Sequence, residues 1–369
     1  MHKVIIIPDS FKGTISSIEA AKTMEKAILD INPKINTLTY PIADGGEGTV
    51  DCFLNKKNTE KINIKTINQY GEEITAYCCK DKDTFIIEVA SACGITLSNQ
   101  LKPHIASTYG VGLLIKEIIK YNPKKIIIGL GGSGTNDGGV GMASALGTIF
   151  YDLNDEVFIP TPLTLTNIKR IDNTKTKELL KDIKIIAMCD VTNPLCGTNG
   201  ASYVFGPQKG ADPTMVKLLD NNLYHLGTII EKDLKVKVLN ELGTGAAGGL
   251  GAAVKAFLNG NLQSGINTLL DIIDFQNIIK DCNYIFTGEG KFDSQSINGK
   301  VISGISSYAK EHNIPIIVLC GILDLKEEFY KDKIYKVYEI SNNIEEAKKH
   351  CKENIYHTMQ KIINDLKIS

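Results

Sequence analysis

Residues 125–147 read KIIIGLGGSGTNDGGVGMASALG. The isoleucines at 126–128 form a continuous apolar run, as expected of a strand buried on both faces. From Gly129 to Gly141, seven of thirteen residues are glycine. Small, helix-compatible residues follow from Met142 to Leu146. Strand, glycine loop and helix start, in that order, let a backbone approach an anion. Glycine has no Cβ to hold the anion off, and the first N–H groups of a helix are unpaired. The stretch therefore predicts an α/β fold in which loops after parallel strands carry function.

The flanking chain supports this reading. Apolar runs at 3–8, 38–42, 284–287, 315–320 and 336–340 predict five strands of parallel type, with helices at about 17–30, 301–312 and 344–366 between or after them. The middle of the chain differs. Segments 61–66, 73–80 and 84–89 alternate and are separated by polar turns, a hairpin texture. A helix at about 109–121 leads into the glycine stretch. After it come a polar segment, 152–178, and a strand at 183–188. A second glycine loop, GTGAAGGLG at 243–251, leads into a small-residue helix from 252. The expected architecture is a flavodoxin- or Rossmann-like parallel-sheet domain, residues 1–44 and 280–369. A second, mixed α/β domain, 45–279, is inserted after its second strand. The ligand site is expected in the cleft between them, at strand carboxyl ends.

Bulk properties exclude several classes. The net charge is −1, which offers nothing to a nucleic-acid partner. No apolar run is long enough to span a membrane. The start, MHKVIIIPDSF, runs straight into a strand without a signal-peptide core, and the nine cysteines lack CxxC spacing. Both features predict a cytoplasmic protein with reduced thiols. Arginine occurs once, at Arg170, in a polar stretch. Bidentate anion clamps are normally built from arginine, so anion binding here falls to lysines, backbone N–H groups and metal.

Two glycine loops match GxGxxG, at Gly129, Gly131, Gly134 and at Gly243, Gly245, Gly248. Asp152 lies downstream of the first, as in a dinucleotide fingerprint. Against that reading, the motif is not on the chain's first strand, and polar residues 135–137 stand where a crossover helix should begin. GxxxxGK[ST] is absent, so a P-loop is excluded. A more telling unit is D-G-G-x-G, which occurs at Asp44 and again at Asp137. A carboxylate followed by glycine N–H donors suits Mg2+ and phosphate together, or simply caps a helix. Asp9, Asp44, Asp190, Glu289 and Asp293 each follow an apolar strand, and Lys12, Lys209 and Lys291 lie near such ends. Oxygen ligands of this kind suit Mg2+, and a carboxylate can accept a hydroxyl proton. The six histidines fall outside every one of these motifs.

As a set, PDSFKG (8–13), ADGGEGT (43–49), GGSGTNDGG (131–139), CDVTNPLCG (189–197), NGASYVFGPQKGA (199–211), GTGAAGGLGAA (243–253) and TGEGKFDSQS (287–296) resemble the bacterial type I glycerate kinase family. The resemblance covers nearly the whole chain. It departs from the family at Gly134, Lys291 and Leu113, where alanine, arginine and glutamate are common. It implies ATP- and Mg2+-dependent phosphorylation of D-glycerate, with 2-phosphoglycerate favoured, by a monomer or homodimer. The implied catalytic residues are Asp190, Asp293 and Lys12. Ser10, Gly131, Gly132, Ser133, Thr135, Asn136, Lys209, Gly245, Gly248, Gly249 and Lys291 would bind substrate or phosphate, and Asp44, Asp137 and Glu289 the metal. Two alternatives stand beside it: a dinucleotide-dependent oxidoreductase and a non-catalytic anion-binding protein.

Overall fold

A computed structural model describes residues 2–11, 13–42, 46, 48–54, 58–297, 300–341 and 343–367. The chain divides into two compact units: residues 1–43 with 265–369, and residues 44–264. Strands are numbered along the chain. The first unit holds β1 (Lys3–Ile6), β2 (Asn36–Thr39), β12 (Tyr284–Phe292), β13 (Ile316–Leu323) and β14 (Lys336–Glu339). The second holds β3 (Glu60–Ile67), β4 (Glu73–Asp81), β5 (Thr84–Glu88), β6 (Lys125–Gly129), β7 (Ile149–Tyr151), β8 (Val157–Phe158), β9 (Arg170–Asp172), β10 (Lys184–Met188) and β11 (Asn261–Gln263).

In the first unit every strand pairing is parallel, in the order β14-β13-β12-β1-β2. In this doubly wound sheet the strand order reverses between β1 and β12, where α/β sheets place ligands. Val4 to Ile7 are fully buried, which explains why such an apolar run became an inner strand. The helix Ser17–Ile31 starts on a capping box, with Ser16 and Glu19 each bonding the other's backbone N–H. Its inner face, including Ala20, Met24, Ala27 and Ile28, shares a core with Ile355, Met359 and Ile362 of the helix Cys351–Asp365. That last helix is not continuous from residue 344, as the sequence suggests. Ile344–Lys349 ends at His350, which leaves helical geometry (φ −117°, ψ 28°), and the chain restarts so that Cys351 enters the core.

A second difference bears on the site. β12 does not stop at Thr287; it runs to Phe292, and β13 runs past Gly321 to Leu323. Lys291 pairs with Ile322, and Phe292 with Leu323. The glycines read as turn residues are strand glycines at a close approach. A Cβ on Gly321 would lie 2.5 Å from Gly290 O, and one on Gly288 would lie 2.8 Å from Met24 Cε. The unit boundary also moves. The helices Gly265–Ile272 and Phe275–Ile278 belong to the first unit, because the second ends at Ser264.

The second unit has a six-stranded mixed sheet, β11-β10-β6-β5-β4-β3, parallel from β11 to β5 and antiparallel from β5 to β3. The hairpin texture of 61–89 and the apolar runs at 126–128 and 185–187 thus share one sheet. The polar segment 152–178 supplies β8 and β9, which flank β7 in a small antiparallel sheet. There the one arginine, Arg170, stacks its guanidinium 3.5 Å from the Tyr151 ring centroid. Among the described residues, no helix is long and apolar enough to cross a membrane.

Candidate active site

β6 is buried throughout its isoleucines and lies between β5 and β10 in parallel register. The helix after it, Val140–Leu146, begins only after a long loop. Asp137 organises that loop. Its carboxylate is fully buried and accepts from Thr108 N (2.8 Å), Thr108 Oγ1 (2.8 Å), Gly139 N (2.9 Å) and Gly141 N (3.3 Å). Burial pushes its pKa up, and these hydrogen bonds oppose the shift. The loop is also tied to the segment after β5, by Gly134 N to Cys93 O (2.7 Å) and Ile95 N to Gly132 O (2.9 Å).

The second glycine loop packs directly against the first. Gly138 N donates to Gly248 O at 3.0 Å. A Cβ on Gly248 would collide with Thr135 O, and one on Gly249 would lie 2.7 Å from Gly138 Cα. The segment is not a simple helix start. Within Ala246–Ala256, three successive residues are left-handed: Ala247 (φ 52°), Gly248 (φ 68°) and Gly249 (φ 94°). Gly248, one of the glycines that imitate a dinucleotide fingerprint, therefore accommodates one loop against the other. Ala247 carries a Cβ in a conformation that costs about 1–2 kcal/mol. Ala247→Gly is expected to raise the unfolding free energy by about 0.5–1 kcal/mol in urea titration, since it relieves that strain and removes only a half-buried methyl group.

Ser133, Thr135, Asn136 and Lys209 come together around this junction. Ser133 Oγ lies 2.9 Å from Thr135 Oγ1 and 3.3 Å from Ala247 O. Asn136 Nδ2 donates to Ser202 Oγ at 3.0 Å. Lys209, which the resemblance assigns to substrate or phosphate binding, lies inside the protein. It is 2% exposed, and its ammonium donates to Thr135 O at 2.6 Å. Burial pulls its pKa down to about 8, against the opposing influence of Cys93 and Asp137. Gly131 is half-buried, and Gly132 is exposed in a left-handed conformation (φ 74°). Gly245 is packed against Asn193 and Pro194, with its N–H donating to Asn193 O at 3.0 Å.

The carboxyl ends of β5, β6 and β10 line up. Glu88 and Met188 both pair with Gly129, and Asp190, half-buried, follows directly after β10. Glu88 was not anticipated. It is 4% exposed and accepts from Val50 N in the helix Thr49–Leu54. Its one sequence signal is a lone acid at the end of TFIIE.

In the first unit, Asp9 and Ser10 follow β1, and Asp9 N bonds Gly288 O of β12 at 2.8 Å. Along β12, Glu289 accepts from Ser296 Oγ at 2.9 Å, and the same hydroxyl receives Asp293 N at 3.1 Å. Lys291 lies 2.8 Å from Asp324 and 3.4 Å from Asp293, and these carboxylates, Asp324 first, raise its pKa. Asp324, just beyond β13, is a further residue that the sequence did not single out. It became visible only once β13 extended to Leu323. Lys12 and Asp44 lie outside the described residues.

The donor sets differ in their fit to Mg2+. Asp137 has its carboxylate enclosed by four donors of its own chain, which leaves no room for the metal role that the sequence suggests. Among the described residues, no three His, Cys, Asp or Glu side chains cluster as a protein-only metal cage. Mg2+ at phosphotransfer sites needs fewer, usually one or two carboxylates with phosphate and water. Glu289, half-buried at the strand-order reversal, fits that requirement.

The sequence model described as the glycerate kinase family matches residues 4–367. The glycerate 2-kinase of Escherichia coli K12 is 38% identical over 99% of this chain and 98% of its own length. The glycerate kinase of Bacillus cereus is 40% identical over 100% and 98%. A crystal structure from Salmonella typhimurium LT2, provisionally named glycerate kinase 2, superposes with a TM-score of 0.87 at 36% identity, covering 100% of this chain and 98% of that one.

Proposed function

The chain belongs to the glycerate kinase family and is a kinase that phosphorylates glycerate, and from that premise we propose that it transfers the γ-phosphoryl group of ATP to the 2-hydroxyl of D-glycerate. The observation that carries the residue assignment is the placement of Asp9, Ser10, Glu289 and Lys291 at the reversal between β1 and β12. Ligands of doubly wound sheets bind at such a point.

Phosphoryl transfer asks chiefly for positioning and for neutralisation of charge. Lys12 and Lys291 supply cations, and Ser10, Ser133 and the 131–132 turn supply hydroxyl and N–H donors. Lys291 is held by Asp293 and Asp324, which fixes its ammonium at the strand end. A flexible lysine without such partners would pay more side-chain entropy to bind an anion. Asp190 and Asp293 are the candidates to orient the attacking hydroxyl and accept its proton. Glu289 would hold Mg2+ together with phosphate oxygens, and the ion would there offset charge on the transferred group.

Asp190→Asn and Asp293→Asn are each expected to lower kcat about 10²- to 10⁴-fold if the residue is the base, with ADP release followed by a coupled assay. Full glycerate-dependent turnover in both variants would refute the assignment. Phosphorus NMR of the product from D-glycerate, ATP and Mg2+ decides between the 2- and 3-phosphate.

A further inference from the structure

The position of Lys209 separates two roles that a lysine in such an enzyme can have. Its segment grips the glycine loop at two points. Ser202, in the helix Ala201–Phe205, receives Asn136 Nδ2 at 3.0 Å. Lys209, at the end of the turn Pro207–Lys209, reaches Thr135 O at 2.6 Å and Ser133 Oγ at 3.5 Å. Gly210 fixes the exit of that turn, being left-handed (φ 92°), and a Cβ there would lie 2.8 Å from Leu101 O. Thr135 O is enclosed, since Gly248 packs against its other side and Thr135 itself is fully buried. A carbonyl shut away from water needs an internal donor. The Lys209 ammonium is that donor.

We propose that Lys209 is a positioning residue for phosphoryl transfer, holding the 133–136 loop in place from within, and that it contacts neither glycerate nor ATP. It acts through Ser133 and Thr135, whose hydroxyls share a 2.9 Å contact. Burial lowers the pKa of the amine to about 8, while Cys93 and Asp137 favour the charged form. No carboxylate is paired with it among the described residues, so its directional partner is the carbonyl. The kinetic part of this inference rests on the glycerate kinase reading, and the chemical part does not.

Two measurements test it. The native enzyme is treated with an amine-acetylating reagent at pH 8, and peptides are read by mass spectrometry with and without D-glycerate or ATP-Mg2+. Lys209 is expected to stay unmodified under conditions that acetylate the exposed Lys102, and neither substrate changes its yield. Acetylation of Lys209 at the rate of Lys102, with or without protection by a substrate, overturns the proposal. Separately, Lys209→Met is expected to lower kcat at least tenfold, with KM for glycerate and for ATP each changing less than threefold. Ser202→Ala, which releases the other grip, is expected to shift kcat in the same direction by a smaller factor. A tenfold rise in KM for one substrate with kcat retained would show a ligand contact and overturn the proposal. If Lys209→Met does not fold, the acetylation result on the unmodified enzyme decides. If the unmodified enzyme makes no ADP from ATP and glycerate, the kinase reading fails, while the acetylation result still stands.

Discussion

Gly248→Ala is expected to destabilise the protein by about 3 kcal/mol or more, the sum of a left-handed alanine and a backbone collision. The two contributions are independent. At φ 68° an alanine costs about 1–2 kcal/mol wherever it occurs. Here the new Cβ also meets Thr135 O and lies 2.8 Å from Asn136 Cα. Both atoms are backbone and buried, so no rotamer change relieves the clash. The loops must separate, and the bond from Gly138 N to Gly248 O opens with them. Urea unfolding of the variant measures the loss. Gly13→Ala is the control. Gly13 is also left-handed (φ 79°) but has no atom near its would-be Cβ, so it should lose only about 1–2 kcal/mol. Equal losses in the two variants would show that the packing of the loops contributes nothing.

Asp137→Ala is expected to cost about 3–5 kcal/mol, because four donors that the carboxylate now satisfies would be left in the interior. Asp137→Asn should cost less. It keeps the shape and removes a buried charge, but its amide can accept at only one end. The pH dependence separates the two effects. Burial raises the folded-state pKa of Asp137 above its ordinary value of 3.8. The folded protein then binds this proton more tightly than the unfolded chain does. The stability contributed by the group is full below pH 3.8 and falls as pH rises through the folded value. The advantage of the wild type over Asp137→Asn is therefore largest in acid and shrinks towards neutrality. A constant difference across that range would mean that the carboxyl is not buried as described.

Parallel strands with continuous isoleucine and valine runs were readable because such strands are buried on both faces and need no partner to declare themselves. Residues 3–6, 126–128 and 316–319 are of this kind. Strand ends were harder. Glycine in a sequence reads as a turn, yet Gly288 and Gly321 sit inside paired strands, where a Cβ would meet Met24 Cε and Gly290 O respectively. That closeness is a property of two chain segments, and neither one shows it alone. The same holds at 344–366, where helical periodicity continues past His350 although the helix does not.

The site residues divide in the same way. By itself the sequence determined the α/β class, the family and the carboxylates and lysines that gather after strands, since residue type and strand order are local properties. Tertiary structure alone decided what each group faces. It enclosed Asp137 among four donors, buried the Lys209 amine against a carbonyl and set Gly248 and Gly249 against the first glycine loop. It also brought Asp324 to Lys291 and Val50 N to the Glu88 carboxylate. Hydrogen-bond partners and burial depend on segments far apart in the chain. A lysine in GPQKGA reads the same in water as it does behind a loop, and only folding tells the two apart.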